Sequence, residues 1–221
     1  FEKKFKKYNC LFFKEKYVII LLVNMELEDI LESAEIRSNI ELIDRMIEEN
    51  NNTDSVGDTT LRFRDAVWLD EIQKSNILIA GIGGIGSWLA LLISRMRPQN
   101  LLLMDNDSVE LVNMSGQLYR TSDIGKLKVD ALSETLREYS SFYNTMSIGS
   151  LFDEESEAND IMICGFDNMK ARKVYFNKWL ERVKNTPIQE REKCLFIDGR
   201  LNAEKFQIIS ITGTDYYGMK K

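Results

Sequence analysis

Residues 77–87 read Ile-Leu-Ile-Ala-Gly-Ile-Gly-Gly-Ile-Gly-Ser, a short apolar run that meets a glycine-rich turn. The turn has the pattern G-x-G-x-x-G between a predicted strand and a predicted helix, the context in which this pattern indicates a nucleotide. Gly81 permits the tight turn, and Gly83 with Gly84 lets the backbone approach a phosphate. Gly86 lets the helix pack close to the strand, and the helix N-terminus offers N–H groups to an anion. The stretch predicts nucleotide binding; a turn with only a structural role is the alternative.

The sequence beyond this turn alternates between apolar runs and amphipathic stretches. Continuous apolar strands that alternate with helices are typical of a parallel sheet covered on both faces. We therefore predict a doubly wound, Rossmann-like α/β domain from about residue 60 onward, with a mostly parallel sheet. The predicted strands are residues 77–80, 101–104, 161–164, 195–197 and 206–211, and the predicted helices are residues 62–74, 87–96, 126–139 and 170–184.

The sequence before this domain has a different character. Residues 1–24 hold six lysines and two glutamates and end in seven apolar residues, too few to cross a bilayer. We interpret them as upstream or non-native sequence before a start at Met25; a helix or strand packed on the domain edge is the alternative. Residues 25–59 are predicted to form an amphipathic helix and a polar linker, and residues 60–221 the nucleotide-binding domain.

The composition excludes several kinds of chemistry. A formal net charge of −6 argues against broad nucleic-acid binding, which requires a basic face. The chain has no histidine, which excludes Ser-His and Cys-His nucleophile pairs. Cys10, Cys164 and Cys194 lie far apart, which argues against a zinc site or a disulfide framework. We interpret Cys164 and Cys194 as core residues and expect a cytoplasmic protein without a membrane partner.

An acidic residue, Asp105, follows the predicted strand 101–104, about 20 residues beyond the glycine turn. A carboxylate at this place can accept a hydrogen bond from a ribose hydroxyl, which fits NAD, FAD and ATP alike. An aspartate that only caps a loop is the alternative.

Three segments that follow in order carry further motifs. Residues 105–117 read Asp-Asn-Asp-Ser-Val-Glu-Leu-Val-Asn-Met-Ser-Gly-Gln, and residues 123–128 read Asp-Ile-Gly-Lys-Leu-Lys. Residues 164–168 read Cys-Gly-Phe-Asp-Asn, with Arg172 following. These segments resemble the D-x-D-x-V, N-x-x-x-Q, G-x-x-K and D-N-x-x-x-R motifs of the ThiF/MoeB/HesA family, relatives of the ubiquitin-activating enzymes. The resemblance covers roughly residues 60 to 213, and many relatives continue further, so we interpret the domain as truncated at its C-terminus.

The resemblance implies an ATP site. By it, Asp105 holds the ribose, and Asp107 in the same motif is a further nucleotide contact. Asn113, Gln117 and Lys128 contact the triphosphate in such proteins. For Lys128, a solvated position on a helix is the alternative.

The resemblance also implies a magnesium ion and a reaction. Asp167 would bind the Mg²⁺ that bridges phosphate oxygens, unless it only caps the helix beginning near Met169. The implied activity is ATP-dependent adenylylation of the C-terminal carboxylate of a small ubiquitin-like or sulfur-carrier protein. Such a carboxylate is already ionised at pH 7, so the reaction needs positioning, cations and hydrogen-bond donors instead of a histidine base.

The sequence departs from the family at one position. The family has an arginine directly before the glutamine of N-x-x-x-Q, and this chain has Gly116. Arg120 is a candidate substitute among the catalytic residues; an ordinary surface residue is the alternative. A second family arginine reaches across a homodimer from a short N-terminal helix, and Arg64, with Arg62 behind it, is the candidate here.

Two other functions stay open. Gly116 and the short C-terminus are compatible with a degenerate member that binds nucleotide or a partner protein without catalysis. An NAD-dependent oxidoreductase is compatible with the glycine turn and Asp105 but leaves the N-x-x-x-Q and G-x-x-K segments without a role.

Overall fold

The computed structural model describes residues 9–10, 21–22, 59–202 and 204–215. The chain divides into two units, residues 1–57 and 58–221. In the first unit, Asn9–Cys10 and Leu21–Leu22 pair as antiparallel two-residue strands. The predicted amphipathic helix and linker lie outside the described residues.

The second unit is built on a six-stranded sheet of order β3-β2-β1-β4-β5-β6. The first five strands are parallel to their neighbours, and β6 pairs antiparallel with β5. This order is that of a Rossmann fold, with a switch point between β1 and β4, which confirms the predicted fold class. The strands are β1 Asn76–Ala80, β2 Asn100–Met104, β3 Thr145–Ile148, β4 Ile161–Cys164, β5 Leu195–Asn202 and β6 Lys205–Thr212.

The described part of the second unit has four α-helices and several 3-10 turns; the first of each kind precedes β1, and the others connect the strands. The predicted helix over residues 62–74 is two pieces, because extended backbone at Ala66 separates a 3-10 turn from the α-helix. The α-helices are α1 Val67–Gln73, α2 Gly86–Ser94, α3 Lys128–Ser140 and α4 Met169–Asn185. The 3-10 turns are Leu61–Phe63, Leu111–Ser115, Thr121–Asp123 and Ile188–Lys193. In the described part of the chain, no helix has the length and apolar character needed to cross a membrane.

Each face of the sheet buries its own hydrophobic cluster. Ile77 and Ile79 of β1 lie in the cluster to which α2 and α3 contribute. Leu78 and Ala80 lie in the cluster to which α4 contributes Tyr175, Trp179 and Val183. This division follows from the alternation of side chains along a strand, and it explains why β1 is apolar at every central position. The prediction of helices on both faces is confirmed.

Strand β3 is absent from the sequence-based prediction. It lies at the edge of the sheet, and its residues Thr-Met-Ser-Ile are all exposed or half-buried. An edge strand with solvent on its flanks needs no continuous apolar run, so the pattern that identifies β1 and β4 does not apply to it.

The two described interior cysteines are core residues, as predicted. Cys164 ends β4 and Cys194 precedes β5, and neither side chain is exposed. Burial raises the pKa of the Cys164 thiol to about 12, so this group stays protonated at neutral pH.

Candidate nucleotide site

Three glycines from two segments interlock at the carboxyl end of β1. Gly81 has a φ of +82°, a region in which glycine has no steric penalty. A Cβ on Gly86 or on Gly165 would lie 2.1 Å from the carbonyl oxygen of Gly81. A Cβ on Gly81 would in turn lie 2.6 Å from the carbonyl carbon of Gly165. Gly86 therefore serves close packing, as predicted, and Gly165 is an equally constrained residue that the sequence pattern does not identify.

Gly83 and Gly84 differ from these three because they border open space. The nearest heavy atoms to a Cβ at either position would be 3.9 Å away, in the Gln117 carboxamide and the Gly116 carbonyl respectively. No packing contact in the described region thus requires glycine at these two positions. Because neither residue has a side chain, their backbone is open toward the neighbouring cleft.

The cleft has a volume of about 350 Å³ and lies at the carboxyl ends of β1, β2 and β4. This is the switch point of the sheet, where open α/β folds bind their ligands. Four segments line it: residues 81–84, residues 104–107, the side chains of Gln117 and Lys128, and the loops after β3 and β4. The lining residues are Gly81, Gly83, Gly84, Met104, Asp105, Asn106, Asp107, Gln117, Lys128, Ser150, Leu151, Gly165, Phe166, Asp167 and Asn168.

Asp105 joins the glycine turn to the loop after β2. Its carboxylate accepts hydrogen bonds from the backbone N–H of Ile82 at 2.9 Å and from that of Asp107 at 2.9 Å. The loop-capping role is therefore present. Each carboxylate oxygen can accept a further hydrogen bond, so the ribose assignment stays a prediction.

Lys128 begins α3 with its side chain only 8% exposed. Its ammonium group lies 2.8 Å from a carboxylate oxygen of Asp107, inside the cleft. The alternative of a solvated helix residue is wrong. A lysine has three N–H donors, so one carboxylate leaves donors for an anion.

Gln117 supplies a buried oxygen atom to which no described residue donates. This atom is Oε1 of the side-chain carboxamide, which can only accept a hydrogen bond. Most buried polar side-chain atoms in proteins are hydrogen-bonded, so an acceptor without a partner at the wall of a cleft points to a ligand or water that brings an O–H or N–H donor.

Asp167 lies in the loop after β4, where its exposed carboxylate lines the cleft. The N-cap of α4 is its neighbour Asn168, whose Oδ1 accepts a hydrogen bond from the N–H of Ala171 at 2.8 Å. The capping alternative for Asp167 is therefore wrong. Among the described residues no cluster of three or more metal-binding side chains exists. The Asp167 carboxylate accepts one long hydrogen bond, from Asn168 Nδ2 at 3.5 Å, and is otherwise open to solvent. A single exposed carboxylate still fits Mg²⁺, which binds through one or two carboxylates, substrate phosphates and water.

Besides Gly86, three predicted site residues lie outside the cleft lining. Asn113 is buried, and its Oδ1 accepts a hydrogen bond from the N–H of Glu110 at 2.8 Å, which closes the 3-10 turn. Arg64 is exposed at the end of the first 3-10 turn, next to Arg62.

Arg120 is the third of these residues. It forms ion pairs with three carboxylates, those of Asp123, Glu134 and Glu138, between the 3-10 turn at 121–123 and the exposed side of α3. The structure thus brings together the glycine turn, Asp105, Asp107, Gln117, Lys128 and Asp167, and keeps Arg120 apart from them.

Arg172 of the D-N-x-x-x-R segment has a structural role. Its guanidinium donates to the Asp198 carboxylate, to the Phe166 carbonyl and, at 3.1 Å, to the Gly199 carbonyl. It ties the loop after β4, which carries Asp167, to strand β5.

Two side chains that sequence reasoning misses connect the Gln117 loop to the glycine turn. The hydroxyl of Tyr119 donates to the carbonyl of Ile82 at 2.7 Å. The hydroxyl of Ser87 donates to the Gly83 carbonyl at 2.7 Å and accepts from the N–H of Leu118 at 3.0 Å. No periodicity or spacing indicates either contact, because both join positions about 30 or more residues apart in the chain.

Comparison with known proteins agrees with this geometry. The sequence model of the ThiF family matches residues 56–186, more than half of the chain. The chain belongs to the ThiF family. Among curated proteins it is similar to "Ubiquitin-like modifier-activating enzyme 5" of Oryza sativa subsp. japonica, with 33% identity over 123 residues. That match covers 48% of this chain and 29% of the relative, so the chain spans less than a third of the relative's length.

Solved structures share the fold at lower identity. The E. coli tRNA N6-threonylcarbamoyladenosine dehydratase TcdA, in complex with ATP, has a TM-score of 0.53 and 19% identity, covering 68% of this chain and 63% of that one. E. coli MccB with MccA-N7isoASN has a TM-score of 0.50 and 20% identity, covering 60% and 38%. At these identities the likeness concerns the fold alone.

Proposed function

We propose that the chain binds MgATP in the cleft and uses it to adenylylate a carboxylate of a protein or peptide partner. One observation carries the proposal: a single cleft at the switch point joins the glycine turn, Gln117, Lys128 and Asp167. These groups are the N–H donors, the cation and the metal-binding carboxylate that a triphosphate needs. Membership of the ThiF family and the ATP in the TcdA structure support the choice of nucleotide.

The phosphates bind along the exposed backbone of Gly83 and Gly84, at the N-terminus of α2. Lys128 donates to them with the hydrogens that Asp107 leaves free. The Nε2 group of Gln117 is a further donor to the phosphates, whereas its buried Oε1 can only accept and takes an O–H or N–H donor of the ligand or of bound water. Asp105 accepts from the ribose on the β2 side of the cleft. Asp167 holds Mg²⁺, which supplies charge neutralisation at the phosphate oxygens when it is bound.

The chemistry needs few protein groups. One oxygen of the partner's carboxylate forms a bond to the α-phosphorus while the bond from that phosphorus to the β-phosphate oxygen breaks. The products are an acyl-adenylate and pyrophosphate. The attacking oxygen carries no proton, so no general base is required. Catalysis consists of positioning and of charge stabilisation by the Lys128 ammonium and the Gln117 amide N–H, and Asp167 would hold the metal ion.

The partner is proposed to be a small ubiquitin-like or sulfur-carrier protein that presents its C-terminal carboxylate. The name of the curated relative, which refers to a ubiquitin-like modifier, supports this class. We also propose a homodimer in which the exposed Arg64 completes the partner's cleft, with Arg62 as the second candidate. Mixing a chain carrying Arg64→Ala with one carrying Lys128→Met tests this: a trans role predicts recovered activity in the mixed dimer.

Binding is tested with MgATP and NADH on the wild-type chain. MgATP at 100 times its Kd should stabilise the fold by about 2.7 kcal/mol, measured as an upward shift in Tm. NADH should give no shift. A shift with NADH alone would contradict the proposal and favour the oxidoreductase.

Turnover is tested by ATP–pyrophosphate exchange with a candidate carrier protein that ends in Gly-Gly. Asp167→Ala should lower the exchange rate by roughly 100-fold, because the metal loses its protein ligand. Asp130→Ala, which removes an exposed carboxylate outside the cleft, is the matched control and should keep the rate. Equal rates in both variants would remove the metal role of Asp167.

A second candidate function rests on Gly116. This position lacks the arginine of the family, which favours a subunit that binds nucleotide or a partner without turning ATP over. Tm stabilisation by MgATP without any exchange would support it.

A further inference from the structure

Gln117 sits at the wall of the cleft in a loop that has no helix or strand to hold it. Its carboxamide lies 3.9 Å from the position of a Cβ on Gly83, beside the backbone that borders the cleft. Its own N–H donates to the Asn113 carbonyl at 3.0 Å, within the preceding turn. The placement of the side chain relative to the glycine turn depends on contacts made by its neighbours in sequence.

Three contacts made by the residues that flank Gln117 provide that placement. The indole N–H of Trp88 donates to the Gly116 carbonyl at 3.0 Å, and the Ser87 hydroxyl accepts from the N–H of Leu118 at 3.0 Å. The hydroxyl of Tyr119 donates to the carbonyl of Ile82. Residues on both sides of Gln117 are thus bonded to the glycine turn or to the first turn of α2.

The contact made by Tyr119 has the most direct effect on the turn. The N–H of Ile82 donates to Asp105 at 2.9 Å and its carbonyl accepts from Tyr119, so the peptide groups on both sides of Ile82 are held by hydrogen bonds. Tyr119 is 8% exposed, and burial together with the charges of Asp105 and Asp107 raises the pKa of its hydroxyl far above the usual value. The hydroxyl therefore stays protonated at neutral pH and can donate this hydrogen bond.

We propose that Tyr119 is a positioning residue for nucleotide binding, whose hydrogen bond to Ile82 sets the distance between the glycine turn and the Gln117 carboxamide. The proposal rests on the proposed MgATP site and assigns to Tyr119 no contact with the nucleotide. It requires that Tyr119 acts through Gln117, so that the two residues are energetically coupled.

A second buried tyrosine offers a matched control. The hydroxyl of Tyr175 donates to the carbonyl of Leu78 at 2.9 Å, in the middle of β1 and outside the cleft lining. Tyr175→Phe deletes a buried hydroxyl that donates to a backbone carbonyl of β1. Tyr119→Phe deletes a buried hydroxyl that donates to a backbone carbonyl of the glycine turn after β1. A merely structural role predicts the same consequences for both.

The experiment measures the Kd for MgATP by calorimetry, and Tm, in the wild type, Tyr119→Phe, Tyr175→Phe, Gln117→Ala and the double variant Tyr119→Phe/Gln117→Ala. Tyr119→Phe should raise Kd about 5- to 10-fold, the size of one hydrogen bond. Tyr175→Phe should lower Tm but keep Kd within about twofold. The double variant should bind no more than about twofold more weakly than Gln117→Ala, because the two changes remove one shared effect.

Two results would overturn the proposal: an unchanged Kd in Tyr119→Phe, or losses that multiply in the double variant. If Tyr119→Phe does not fold, Ser87→Ala tests the adjacent contact to Leu118 and should give the same coupling to Gln117→Ala. A wild-type chain that shows no MgATP binding would instead overturn the proposed function, so the two failures are distinguishable.

Discussion

Lys128 and Arg120 are both cations of the segment after β2, yet they lie in opposite surroundings. Lys128 is buried at the wall of the cleft and contacts one carboxylate, that of Asp107. The side chain of Arg120 is 36% exposed and contacts three carboxylates of the turn at 121–123 and of the exposed side of α3. A buried cation with one partner keeps donors for a phosphate, whereas a cation among three carboxylates is already neutralised. Closeness in sequence to a motif therefore does not decide whether a charge serves the site.

The largest effect is expected from Lys128→Met, which removes the cation of the cleft and keeps the length of the side chain. The rate of ATP–pyrophosphate exchange should fall at least about 100-fold, because charge that develops on the phosphates loses its donor. Lys126→Met is the control: this lysine is exposed and pairs with Asp123 and Glu134, outside the cleft lining. Equal losses in the two variants would refute the assignment of Lys128.

An intermediate effect is expected from Gly116→Arg, which restores the charge that the family carries at this position. A Cβ on Gly116 would meet no described heavy atom within 4 Å, so the backbone at this position accepts a side chain without a clash at its first carbon. Exchange should rise by roughly 10-fold, the effect of about one charge-assisted hydrogen bond. Gly116→Met controls for bulk without charge. Equal rates in both variants would show that the missing arginine does not limit this chain.

The smallest effect is expected from Arg120→Met. Its ion pairs are partly exposed, so the free energy of unfolding should fall by less than about 1 kcal/mol in a denaturant titration. Exchange should stay within about twofold of the wild-type rate. A loss as large as that of Lys128→Met would establish that Arg120 leaves its carboxylates and reaches the phosphates, which was the role predicted from the sequence.

The sequence predicts much of the fold because the central strands are buried on both faces. β1, β2 and β4 are continuous apolar runs, and their predicted bounds agree with the structure to within one residue. The half-exposed edge strand β3 has no such run and is missed. Of the site, Asp105, Gln117, Lys128 and Asp167 lie around one cleft as the motifs suggest, whereas Asn113 closes a turn beside it.

By itself, the sequence determined the alternation of strands and helices, the glycine turn and the family, because local patterns of apolar residues and glycines encode them. Only the tertiary structure decided which polar groups share the cleft. Gly165 must be glycine because it meets Gly81 from another strand, and Tyr119 bonds Ile82 across 37 positions of sequence. Arg120 is directed away from the cleft by acidic residues of α3 and of the preceding turn. Such contacts depend on distances in space between segments remote in sequence, and no local pattern specifies those distances.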